Sequence, residues 1–290
     1  MLQKLKSNQH AIGILYILAA AFGFSLMTFF VKLSGDLPTM QKAFFRNAVA
    51  ALVAGVMLAR NPQKLSMPKG DWVDLILRSA FGFTGLVCNF WAIDHIGLAD
   101  SNILNKMSPF FAIVMSLFIL KEKPNKVEWI SVGIAFAGAV LIVKPTSGLA
   151  SLPALVGLFS GFCAGTAYTL VRKLGQHGIK GPFIVFFFSA FSTVCCLPFL
   201  LFDFTPMSGF QWFSLIMAGV CAAAGQFGIT AAYTHAPAKE ISVFDYTQVL
   251  FAAALGFVFF SELPDLYSWL GYAIIIGVAL FRWQYNLKHS

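Results

Sequence analysis

The chain has 290 residues, of which 58% are hydrophobic and 11% charged, and its mean hydropathy is +0.77. A soluble domain carries about 25% charged residues, so there is too little polar surface here to coat a water-soluble globule, and a lipid bilayer is the expected partner. The net charge of +8 would suggest nucleic acid in a soluble chain; here loop topology explains it, and no nucleic-acid partner is expected.

A membrane-spanning helix needs about 20 apolar residues, and ten stretches qualify in chain order. The first covers 11–32. Lys4 and Lys6 before it and Ala19-Ala20-Ala21 within it imitate a signal peptide, but the apolar run continues to Val31, too long for such a segment. Span two, 40–59, contains Arg46. Span three, 73–92, sets Arg78, Gly82, Gly85 and Asn89 on one face at helical spacing and ends near Trp91. Span four, 98–119, contains Asn105, Lys106 and Pro109, and span five covers 127–143. Span six, 153–172, carries Gly157, Gly161 and Gly165 as a double G-x-x-x-G stripe for close helix packing, with Tyr168 beyond it. Span seven covers 182–202, and span eight, 211–233, contains Gln226 and Thr230. Span nine, 240–260, contains Asp245, Tyr246 and Gln248, and span ten covers 266–283. Leu37-Pro38, Asn61-Pro62, Pro124-Asn125, Lys144-Pro145, Gly181-Pro182 and Thr205-Pro206 punctuate the chain as loop residues do. The five cysteines lie in apolar runs without metal-ligand spacing and read as small packing residues.

The chain repeats itself at an offset of 140 residues. His95, Glu122, Pro124 and Trp129 fall on His235, Glu262, Pro264 and Trp269, and Phe111, Ala112, Ile134 and Ala139 also meet identical partners. Apolar matches are common in such a chain, but Glu-x-Pro-x4-Trp twice in register is not. Loop charge gives the orientation. With the N-terminus inside, the inner segments hold Lys4, Lys6, Arg60, Lys64, Lys69, Lys121, Lys123, Lys126, Arg172, Lys173, Lys180, Lys239, Arg282 and Lys288, whereas outer segments hold Lys32, Lys42 and Lys144. That asymmetry is the positive-inside pattern, with both termini cytoplasmic. Five spans per copy is an odd number, so the second copy enters from the opposite side. The expected fold is an all-α integral membrane protein of ten transmembrane helices, a 5+5 inverted-topology repeat.

The stretches Asn105 to Pro124 (NKMSPFFAIVMSLFILKEKP) and Gln248 to Pro264 (QVLFAAALGFVFFSELP), with Phe45-Arg46-Asn47-Ala48 in span two, carry a further resemblance. The chain resembles the drug/metabolite transporter superfamily, EamA type, over nearly its whole length. The resemblance implies two EamA-like five-helix repeats, 1–147 and 148–290, and secondary transport across a cell membrane without a cofactor. It also implies efflux, driven by the proton gradient or, as the alternative left open, facilitated diffusion. Phe187 or Phe188 stands near the place of Arg46 in the second copy, so the halves are not chemically equivalent.

Ionisable residues inside a span are costly and default to functional hypotheses. Lys106 lies about 12 Å along span four from its outer end. It is read either as a cationic anchor for a substrate carboxylate or phosphate, beside Asn105, or as a lysine paired with Asp94 or Asp100 or snorkelling outward. Asp245 matches Asn105 in the repeat, and Tyr246 matches Lys106. Asp245 either carries a coupling proton, because burial disfavours its charged form, or neutralises Arg78. Arg46 is either a substrate-anion contact or a structural clamp, and Arg78 has Asp74 at i−4 as a local partner. Asn89, Gln226, Thr230, Tyr168 and Trp91 are either cavity-lining ligands or interhelical hydrogen-bonding groups. His95 and His235 sit at helix ends, and the duplicated Glu122 and Glu262 read as fold-specifying.

There is no Walker loop, no H-E-x-x-H and no G-x-S-x-G, so neither ATP hydrolysis, zinc protease nor serine hydrolase chemistry is indicated. No catalytic residue, metal or cofactor is expected. The favoured function is export of small polar metabolites, amino acids or their derivatives, by alternating access. Spans one to four and six to nine line the site, spans five and ten flank it, and the carrier is a monomer or homodimer. Two alternatives stand: an exporter of amines or lipophilic cations that uses Asp245 and aromatic faces, and a membrane acyltransferase-like enzyme that uses the His95/Asp100 spacing.

Overall fold

A computed structural model of the chain describes residues 2–60, 69–96, 104–143, 152–260 and 265–289. Asp100, Ser101, Asn102, Glu262, Pro264 and the side chain of Asp94 lie outside the described residues. Those described form helices and turns with no strand. In order they are α1 (Leu2–Leu33), α2 (Thr39–Arg60), α3 (Lys69–Ile96), α4 (Ser108–Ile119), α5 (Lys126–Val143), α6 (Leu152–Gln176), α7 (Gly181–Phe202) and α8 (Gly209–His235). Then come the one-turn α9 (Ala238–Ile241), a 3-10 turn (Ser242–Tyr246), α10 (Thr247–Phe260) and α11 (Leu266–His289). Among the described residues, seven stretches are long and apolar enough to cross a bilayer: Ala11–Leu33, Thr39–Arg60, Leu152–Gln176, Gly181–Phe202, Gly209–His235, Ala238–Phe259 and Leu266–Lys288. Spans three, four and five correspond to α3, α4 and α5, each of which includes or borders residues that are not described.

Lipid explains what would be anomalous in water. Leu15, Leu52, Phe118, Val194, Leu201, Phe202 and Val258 are exposed, while polar and charged groups such as Arg46, Arg78, Asp245 and Gln226 are buried. Without water in the bilayer core, backbone groups must be satisfied within the protein, which favours long helices.

Two spans depart from a continuous helix. Span four is helical at Leu104-Asn105, turns at Lys106-Met107 and restarts at Ser108. Pro109 therefore does not kink a continuous helix. It sits in the first turn of α4, where a missing N–H costs nothing. Span nine is interrupted by the 3-10 turn, which contains Asp245 and Tyr246. Irregular backbone at membrane depth has to be covered by protein, and the first helix of each copy does this. α6 packs on α4, and α1 packs on α10. The glycine stripe of α6 brings the backbones together: a Cβ on Gly161 would stand 2.7 Å from the Leu104 carbonyl oxygen, and one on Gly165 would stand 2.7 Å from the Ala112 nitrogen. The stripe is thus a packing device. On the α1 side, the Ser25 hydroxyl is within 3.0 Å of the Gln248 carbonyl oxygen.

α5 and α11 pack on each other, with Gly138 seated against Ile274 and Ile275. Ion pairs and polar bonds gather at one end of the bundle, here called the basic end. Arg172 meets Glu122 at 3.2 Å, Lys173 meets Asp74 at 2.8 Å and His177 meets Asp71 at 2.6 Å. Arg172 also reaches the Tyr233 and Thr234 carbonyls of α8. Lys239 donates to the Lys123 carbonyl, and Arg282 to the Lys239 carbonyl. The opposite end is joined by neutral groups: Gln41 exchanges two hydrogen bonds with the Thr205 backbone, and Gln211 donates to the Ser34 carbonyl.

Candidate functional site

The two breaks meet. Lys106 Nζ lies 3.1 Å from Asp245 Oδ2 and 2.6 Å from Gln248 Oε1. The side chains are 13% and 5% exposed for Lys106 and Asp245. A buried charge is tolerated when paired and further hydrogen-bonded, and Gln248, three residues after Asp245 on the same helical face, completes that set. Among the described residues the charged partner of Lys106 is therefore Asp245; Asp100 and the Asp94 side chain lie outside them. Asp245 in turn does not neutralise Arg78. A lysine–aspartate pair joining two discontinuous helices near the middle of a bundle can be opened by a competing carboxylate or by protonation of the aspartate, and either event changes the charge seen by its neighbours.

A second polar group lies among α2, α3, α6, α7 and α8. Arg78 Nη2 donates to Gln226 Oε1 at 3.1 Å, and its guanidinium stacks 3.9 Å from the Phe188 ring centroid. Its i−4 neighbour Asp74 is taken by Lys173 instead, nearer the helix end. Arg46 is buried and makes no hydrogen bond among the described residues; its Nε, like Nε and Nη1 of Arg78, is buried without a partner. Tyr168 of α6 lies near Arg46, Arg78 and Asp245. The Tyr168 ring stacks on Tyr233 at 5.1 Å.

The remaining predicted residues fall elsewhere. Asn105 donates to Ser160 Oγ at 3.0 Å, tying span four to α6. Tyr246 is fully buried with its ring 6.4 Å from Phe136 of α5 and its hydroxyl unpartnered. Asn89 is half-buried on α3. Trp91 stands about 20 Å along α3 from Arg78 at 1.5 Å per residue; it is exposed and stacked 4.0 Å from His95. Thr230 is buried with its hydroxyl unpartnered. His235 caps its own helix through the Ala231 carbonyl, and Glu122 holds Arg172. Gln248 and Arg78 belong to the two polar groups although neither stands in the predicted binding set; the i+3 spacing of Gln248 from Asp245 was the available signal. Asp71, Asp74 and His177 have ligand atoms within 4.8 Å of one another, but the Lys173 ammonium already supplies a cation there.

Relatives of the chain are transporters and point away from the acyltransferase reading. The His95 ring bonds to the Trp91 carbonyl of its own helix, and Asp100 lies outside the described residues. The chain is 37% identical over 277 residues to the pseudopaline exporter CntI of Pseudomonas aeruginosa, covering 91% of this chain and 93% of that protein. It is 26% identical to a riboflavin transporter of Vibrio cholerae, covering 96% and 95%, and 26% identical to human solute carrier family 35 member G1, covering 98% and 83%. A crystal structure shares the fold with a TM-score of 0.80 at 15% identity, covering 92% of this chain and 94% of the other. The EamA-like transporter family matches residues 11–144 and again 151–283. The chain belongs to that family, and it is a multi-pass membrane transporter of the drug/metabolite type.

Proposed function

We propose that the chain is a secondary active exporter of small polar metabolites, amino acids or their derivatives, working by alternating access in the cell membrane with both termini cytoplasmic. Ten spans form two inverted repeats, 1–147 and 148–290. Lys106 anchors a substrate carboxylate and Asp245 carries the coupling proton. The observation that carries this reading is the Lys106–Asp245 pair, which links the two broken helices. In secondary transporters built from inverted repeats, discontinuous helices hold substrate and coupling ion near the midplane. The pseudopaline exporter relative supports the outward direction. The cation-exporter alternative is less favoured, because Lys106 already occupies Asp245.

Packing supports the alternation. Exchanging the two halves turns the α1–α8 contact into α6–α3, α2–α8 into α7–α3, and α1–α10 into α6–α4, and all six contacts occur. Two contacts lack their counterparts. α6 and α7 both pack on α8 near the basic end, while among the described residues neither α1 with α3 nor α2 with α3 makes a comparable contact. A carrier closed at one end and open at the other has this asymmetry, so the chain is read as closed on its cytoplasmic side. The test is counterflow and pH-driven uptake in proteoliposomes with a panel of amino acids and derivatives. Lys106→Ala and Asp245→Asn should each reduce flux at least about tenfold, the equivalent of 1.4 kcal/mol. Normal transport by both variants sinks the site. Spin labels on α1 and α3 should approach each other, and labels on α6 and α8 separate, when substrate is added inside.

A further inference from the structure

The net charge of the central site points to the class of substrate. Lys106 and Asp245 cancel. Arg46 and Arg78 do not: they are 8% and 2% exposed, and neither hydrogen-bonds to a carboxylate among the described residues. Among the described residues, Arg46 Nε, Arg78 Nε and Arg78 Nη1 are buried without a hydrogen-bond partner. A buried charge without a counter-charge is expensive in a bilayer-embedded bundle. The fold does not require these arginines either. Phe188, close to the repeat position of Arg46, supplies a ring on which Arg78 stacks, and the repeat position of Arg78 is Ala218. The same scaffold is therefore built once with two arginines and once with apolar side chains. An asymmetric, unsatisfied pair of buried guanidinium groups, both near Tyr168, suits a ligand that brings two negative charges.

We infer that Arg46 and Arg78 form an anion subsite, and that the transported molecule is an organic dianion whose two charges compensate these two guanidinium groups. The inference rests on the transporter reading above and narrows its substrate class from polar metabolites to dianionic ones. Gln226 holds Arg78 in place from α8, and Phe188 limits its approach from α7. Arg46 has no such support and is the group most available to a ligand. Dicarboxylates and phosphate monoesters share this chemistry, and separate arms of the test distinguish them.

The test uses the purified full chain. Binding of succinate, glycerol 3-phosphate and butyrate is measured by thermal shift and titration calorimetry at matched ionic strength. At least one dianion should bind about tenfold or more tighter than butyrate, since its second charge adds a charge-assisted hydrogen bond. Arg46→Met and Arg78→Gln should each bring that dianion to the level of butyrate. Succinate alone responding identifies separated carboxylates, and glycerol 3-phosphate alone identifies a compact phosphate. Without ligand, Arg46→Met should raise Tm, because it removes an uncompensated buried charge; a structural clamp would lower it. Equal binding of butyrate and both dianions, dianion binding unchanged in both variants, or a lowered ligand-free Tm in Arg46→Met overturns the inference. Flux that depends on Lys106 and Asp245 would survive such a result, so the transporter reading and the dianion inference fail separately.

Discussion

The breaks in spans four and nine occupy corresponding places in the two copies, yet they are built and covered differently. The first is a two-residue turn restarted by Pro109; the second is a full 3-10 turn of five residues, Ser242–Tyr246. The first lies against a glycine stripe that lets two backbones touch, and the second meets a helix that offers the Ser25 hydroxyl. One contributes a cation and the other an anion. A duplicated scaffold can thus keep the position of an interruption while its chemistry diverges, and the proposed substrate site lies where the copies disagree.

Three substitutions would break this comparison, in decreasing order of effect. Lys106→Ala leaves Asp245 buried and unpaired and should cost about 3–5 kcal/mol. Thermal unfolding in detergent measures it, and the double variant Lys106→Met/Asp245→Leu should recover most of the stability while transport stays lost. Gly165→Ala forces a methyl group against the Ala112 nitrogen and Ser108 carbonyl of span four and should cost about 1–3 kcal/mol, seen as a lower Tm and faster proteolysis of α4. Ser25→Ala removes one hydroxyl from the second break and should cost about 0.5–1.5 kcal/mol. If Ser25→Ala proved as damaging as Gly165→Ala, the two covers would not differ in kind.

Much of this was legible in the sequence. Hydropathy places the helices, because in lipid the apolar run and the helix coincide. Lys106, Asp245 and Arg46 stand out because an ionisable group in an apolar run has few structural excuses. Their partners were hidden. Asp74 is four residues before Arg78 and looks like its counter-ion, but it lies one turn nearer the helix end, where the Lys173 ammonium from α6 reaches it first. The repeat aligns Asn105 with Asp245, whereas the contact is made by Lys106, one residue on. A break in a helix shifts the register of everything beyond it, and an alignment of hydrophobic residues does not record that shift. Trp91 carried the right chemistry for a cavity wall, but its distance along α3 takes it out of reach.

Arg172, Lys173 and His177 cluster at the C-terminal end of α6, and between them they hold α3, the segment after α4 and α8. Because α6 is a stiff rod, tilting its tip strains all of these attachments together. Under the proposed alternation the end would act as a toggle with two rest positions, and a half-open intermediate would keep the strain while losing the bonds. Turnover should accordingly be limited by one concerted step, whose rate responds to any single substitution at that tip.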